Sequence, residues 1–196
     1  MGANAQQATG GEFLSTFEGK MYLHSDKERS NPIGSLTGKV TDFYFQEEEF
    51  NGAKVEKMYL VITDDKNYKL GLKVGSKQYA GLISFFKNAN LTQEIEIVPK
   101  ATPLETGKIM IDYLVKQNGS WMKSFYSKNG PNTLPQWEKV KVGKQEITDK
   151  SAYEDALREV VEKEFLPVVK GNAVANTPSA KSETPAPQDV PDDLPF

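Results

Sequence analysis

The sequence predicts a mainly β fold with two helices, and three observations carry that reading. Apolar and polar residues alternate over several short runs, Asn51-Gly52 and Asn118-Gly119 sit between such runs, and two stretches carry apolar residues at helical spacing. With 196 residues, 38% of them hydrophobic, the chain suits one modest core with extensions.

Residues 1–15 are small and polar and read as a flexible N-terminus. From Leu36 a three-strand meander follows: LTGKVTDFYF, then VEKMYLVIT after the Asn51-Gly52 turn, then YKLGLKV after an Asp64-Asp65 turn. In the second strand Met58, Leu60 and Ile62 alternate with Lys57, Tyr59, Val61 and Thr63. In the third, Tyr68, Leu70, Leu72 and Val74 alternate with Lys69, Gly71 and Lys73, so one face is apolar and the other carries Lys and Tyr. Ser76 then caps a helix whose Tyr79, Leu82, Ile83 and Phe86 share a face, ending near Asn88. A short strand, Ile95 to Val98, leads into a Pro99 to Thr106 loop broken by two prolines, and a hairpin follows, IMIDYLVKQ and SWMKSFYS, joined at Asn118-Gly119. Three strands, a helix and two further strands with an added one make the order of an OB-fold, a five-stranded Greek-key barrel, spanning residues 16–147.

NGPNTLPQ is looser, and WEKVKV reads as one more short strand. A C-terminal amphipathic helix occupies residues 148–167, with Ser151 and Glu154 as a capping box, Tyr153, Leu157, Val160, Val161 and Phe165 as its stripe, and Pro167 as its stop. That stripe is expected to pack on the barrel or on a second subunit, which would make a homo-oligomer. Residues 168–190, rich in Ala, Pro, Ser and Thr, are expected to form a disordered linker, and 191–196 an acidic tip. A flexible linker of that length lets the tip range on the order of 25–30 Å.

Charge separates the two ends. Gly171 to Phe196 holds Lys181 against Glu183, Asp189, Asp192 and Asp193, a net of −3, equal to that of the whole chain, so Met1 to Lys170 is neutral. Within that body Lys100 to Lys150 holds nine lysines and five acids. Catalysis is poorly provided for. There is no cysteine, the one histidine, His24, lies in the polar run HSDKERS, Asp64-Asp65 reads as turn chemistry, and the glycines form neither a P-loop nor a dinucleotide fingerprint. No enzyme, cofactor or metal site is expected. The absence of a long apolar run and of a basic-then-apolar N-terminus leads to the expectation of a soluble, cytoplasmic protein with no membrane partner.

A surface for single-stranded nucleic acid is better supported, because such strands are held by cations along the phosphates and by rings on which bases stack. If Met58, Leu60 and Ile62 point inward, pleating turns Lys57 and Tyr59 outward beside Lys69 and Lys73, on the face that OB-folds give to ligands. Lys39 and Phe43 of the first strand, Trp121, Lys123 and Phe125 of the hairpin, and Trp137, Lys139 and Lys141 repeat the ring-and-lysine alternation. Glu47, Glu48 and Glu49 pull the other way, since they would repel phosphate.

The last residues, VPDDLPF, resemble the acidic tip of bacterial and phage single-stranded-DNA-binding proteins, which share an OB domain, a low-complexity linker and a terminal Asp-Asp-(Ile/Leu)-Pro-Phe. The tip carries two aspartates where that family often has three, and the body matches by element order alone. The resemblance implies a protein of a bacterial cell or its phage that coats and protects single-stranded DNA without sequence specificity during replication, recombination or repair. It also implies that Asp192, Asp193, Leu194, Pro195 and Phe196 dock partner proteins of those processes. The physics agrees: a terminal ring fills an apolar pocket, its carboxylate meets a cation, and the aspartates meet a basic rim. The alternative is a non-catalytic OB-fold adaptor that binds a protein or oligosaccharide.

Overall fold

The computed structural model describes residues 10–127, 131–142 and 145–175. The linker beyond Ala175 and the tip from Asp192 to Phe196 lie outside these residues.

The chain begins with β1 (Glu12–Phe17) and β2 (Lys20–Leu23), where residues up to 15 were expected to be flexible. The EFLSTF run alternates like a strand. Glu18 and Gly19, at φ 48° and 77°, give the two-residue turn that twists a hairpin correctly. A side chain at Gly19 would put its Cβ 2.5 Å from the Cβ of Ala101, so only glycine lets this hairpin lie against the neighbouring strand.

The expected meander is present as β3 (Leu36–Phe50), β4 (Ala53–Thr63) and β5 (Asn67–Lys73), and the helix as α1 (Lys77–Phe86), with Ser76 accepting from the Tyr79 amide. β6 (Glu94–Pro103), β7 (Ile109–Gln117) and a two-residue β8 (Ser120–Trp121) follow. β6 runs straight through the two prolines expected to break it. Its ladder to β3 ends at Leu36↔Ile97, so from Val98 onward one side of β6 has no strand to bond, and an edge tolerates proline. β8 is far shorter than the expected strand, because Phe125 N–H donates to the Ser84 carbonyl and Tyr126 N–H to the Ser84 hydroxyl, drawing the chain onto α1.

The eight strands form one sheet in the order β2-β1-β5-β4-β3-β6-β7-β8. Its pairs are antiparallel except β1 with β5, and it is not closed by backbone pairing. Met58, Leu60, Ile62, Leu70, Ile95, Ile97 and Val115 share one core with Tyr79, Leu82, Ile83 and Phe86 of α1. A separate hairpin, β9 (Glu138–Val142) with β10 (Gln145–Asp149), precedes the C-terminal helix.

That helix is a continuous run of α2 (Ser151–Val160), a π-helical turn (Val161–Phe165) and α3 (Leu166–Ala175). The expected capping box is absent: Asp149 accepts from both the amide and the hydroxyl of Ser151. Nor does Pro167 stop the helix, and residues 168–175, expected in the linker, are helical. The buried residues Leu157, Val161, Phe165 and Val169 recur every four positions. At 3.6 residues per turn, each such step overshoots by about 40°, so the wider turn keeps the stripe on the core. The Leu166 amide bonds the Val161 carbonyl five residues back, and the run continues through Pro167, which has no N–H to donate. Phe165 packs on Phe43 and Phe86, at ring distances of 5.8 and 6.2 Å, so the helix covers the core of its own chain.

Candidate functional site

The sheet gapes where β1 leaves β5. The two pair only from Glu12↔Tyr68 to Leu14↔Leu70, after which β1 swings to β7 and Thr16 Oγ1 lies 2.6 Å from the Tyr113 hydroxyl. The gap is a groove of about 770 Å³. Leu14, Leu70, Leu72 and Tyr113 give it an apolar wall, while Phe13, Lys57, Tyr59, Lys73 and Glu48 line its mouth. His24 also lines it, its amide bonded to the Phe13 carbonyl.

Pleating places Lys57 and Tyr59 together with Tyr44 and Glu48, because Tyr44 opposes Tyr59 and Glu48 lies two pairs beyond the Gln46↔Lys57 pair, on the same face. The two tyrosine rings stack at 5.1 Å, and Phe13 meets Tyr59 edge-on at 5.6 Å. Tyr59 opposes Gly71, where a Cβ would come 2.7 Å from its ring, so the bare glycine lets the ring lie flat on β5. The outer face of β4 is therefore covered, and Tyr59 is buried.

Glu48 sits at the centre of the charges. One carboxylate oxygen accepts from Lys57 Nζ at 2.6 Å and the other from the Tyr59 hydroxyl. Those two bonds, Lys57 first, hold its carboxyl below the usual range. Burial, and then the bond to Glu48, push the Tyr59 phenol well up. Glu47 faces outward and pairs with Lys54. The acidic run expected to repel phosphate is thus already partly neutralised, with one carboxylate inside the groove. Lys57 directly opposes Lys73, a repulsive arrangement that Glu48 relieves. Lys73 is exposed and makes no ion pair among the described residues.

Of the expected site residues, Lys57, Tyr59 and Lys73 line the groove, and Lys69 is buried with Nζ 5.1 Å from the Phe13 ring centre. Lys39 opposes Thr63 on β3, away from it. Phe43, expected beside Lys39, points into the core at 2% exposure. A bulge between Val40 and Asp42 adds one residue and reverses the facing of everything after it. Trp121, Lys123 and Phe125 lie beyond β7, away from the groove, where Lys116 lies over the exposed Trp121 ring and Lys87 over that of Phe125. Trp137, Lys139 and Lys141 belong to the second hairpin, with Trp137 edge-on to Tyr153 and Lys139 paired with Glu146. The sequence reading missed Phe13, Glu48 and Tyr113. The period-two spacing of Phe13, Ser15 and Phe17 was the available signal, masked by the polar run before it.

Among the described residues no group of three or more His, Cys, Asp or Glu is placed to hold a metal, and no helix is long and apolar enough to cross a membrane. No family model, curated protein or solved structure matches the chain.

Proposed function

We propose that the chain is a non-catalytic single-stranded-DNA-binding protein that coats exposed strands without sequence preference and recruits replication, recombination or repair proteins through its acidic tip. The observation that carries the reading is the groove, where an exposed ring, Phe13, and an unpaired cation, Lys73, meet an apolar wall beside β4 and β5. A base takes the ring and the wall, and a phosphate takes the lysine. We further propose that the sheet is an OB-fold with an added N-terminal hairpin. The β3-β4-β5 meander, α1, the β6-β7 pair and the β3-β6 ladder support it. The terminal VPDDLPF supports the docking role, and a bacterial or phage setting in the cytoplasm goes with it.

Titration of labelled oligo-dT tests the reading. Phe13→Ala is expected to weaken binding by roughly 5- to 150-fold, the worth of one stacked base, and Lys73→Ala to lower the salt slope by about 0.7. No binding by the wild-type protein at low salt, or an equal preference for duplex, would overturn it.

A second reading, a protein-binding adaptor, is favoured by Glu48, since a carboxylate in the groove suits a cationic peptide side chain. Under that reading neither substitution alters the affinity for oligo-dT.

A further inference from the structure

The N-terminal hairpin does more than extend the sheet beside β5. Along β1, Leu14 and Thr16 turn toward the core and the Tyr113 hydroxyl, which leaves Phe13, Ser15 and Phe17 on the opposite face. Phe13 and Phe17 are 43% and 40% exposed. Each ring carries a cation: Lys69 Nζ lies 5.1 Å from the centre of Phe13, and the Arg29 guanidinium 4.0 Å from that of Phe17. Across the hairpin Phe17 opposes Lys20, an exposed cation rather than an apolar partner, so cross-strand packing does not account for the ring.

Resting on the function proposed above, we propose that Phe17, with Arg29 and Lys20, forms a second nucleotide platform that continues the groove, so that single-stranded DNA runs from Phe13 along β1 to the Glu18-Gly19 turn. Three observations support nucleic acid as the occupant. The rings are continuous with the groove, because Phe13 belongs to both. At Phe17 two exposed cations, Arg29 over the ring and Lys20 opposite it, stand where phosphates flank a stacked base. Two of the four carboxylates near these rings in the chain are engaged, Glu12 by Lys66 and Asp26 by Ser30 and Asn31, while Glu18 and Glu28 are exposed. Arg29 makes no ion pair among the described residues, and Glu18 at the turn marks the end of the path. Four residues of strand separate the rings by about 13 Å, well beyond the roughly 3.4 Å between stacked neighbours, so the two platforms take bases that are not adjacent.

The test is the length dependence of oligo-dT binding to the full chain. Wild-type affinity is expected to rise with length until both platforms are filled. Phe17→Ala should lose roughly 5- to 150-fold for long oligonucleotides while leaving short ones, which fill only the groove, unchanged. Arg29→Ala should lower the salt slope for long oligonucleotides by about 0.7, and Phe17→Trp should restore the affinity. Equal binding of long oligonucleotides by wild type and a folded Phe17→Ala overturns this platform alone. Wild type that binds no oligonucleotide overturns the parent reading with it.

Discussion

On the function proposed above, replacing Glu48 with glutamine should tighten DNA binding and weaken the fold. Glu48 holds Lys57 at 2.6 Å with the two side chains about 30% exposed, at 29% and 33%. A pair this accessible to water is worth up to about 1 kcal/mol, and a phosphate that recruits Lys57 must first break it. Removing the charge therefore makes binding up to roughly fivefold tighter. It also adds one cation to those available, which steepens the fall of log K with log salt by about 0.7. The side-chain amide of the variant still accepts from the Tyr59 hydroxyl, so the local geometry persists. The cost falls on stability. Lys57 and Lys73 then oppose each other without a carboxylate between them, and a loss of about 1 kcal/mol lowers Tm by roughly 2–4 °C. Lys57 and Tyr59 hold the Glu48 carboxyl below its ordinary value, so it stays ionised through neutral and mildly acid pH, and the wild-type protein does not relieve the block by protonation there. Anisotropy of labelled oligo-dT across about 50 to 200 mM salt measures both terms. An unchanged salt slope, or weaker binding by the variant, would refute the reasoning.

Two further outcomes concern the fold. Phe165→Ala deletes a buried ring that touches Phe43 and Phe86 and should cost about 3–5 kcal/mol, seen as a lower denaturation midpoint; a loss under about 1 kcal/mol would mean that the C-terminal helix is not anchored there. Tyr79 is fully buried and its hydroxyl has no hydrogen-bond partner among the described residues, so Tyr79→Phe should leave stability unchanged or raise it by about 1 kcal/mol. Burial raises the phenols of Tyr79 and Tyr59, so the folded chain keeps protons that the unfolded chain releases above its ordinary phenol value. Their contribution is present in full below about pH 10 and is lost as pH rises beyond it, and Tyr79→Phe should flatten that loss; melts at pH 9 and pH 11 that show no decline in the wild type would contradict it.

What was legible in the sequence was local. Asn51-Gly52 and Asn118-Gly119 have φ of 52° and 75°, and 50° and 75°, and the turns form where those pairs stand. The meander, α1 with its Ser76 cap, and the alternation that sends Met58, Leu60 and Ile62 inward depend on neighbours a few residues away, so periodicity was enough. The same period put Lys57, Tyr59 and Lys73 on one face of the sheet.

Tertiary structure decided the rest, because the causes lie far apart in the chain. The bulge at Val40 and Asp42 exists only through pairing with β4, and it alone turns Phe43 from the outer face to the core. The groove needs β1 to pair with β5, more than fifty residues away, and then to leave it for Tyr113; no window on the sequence holds both partners. Pro167 reads locally as a stop, yet the burial of Leu157, Val161, Phe165 and Val169 in the core holds the helix through a π-helical turn. Side-chain type and spacing set which faces were apolar and which carried charge. Only the packing of distant strands set which of those faces remained open to a ligand.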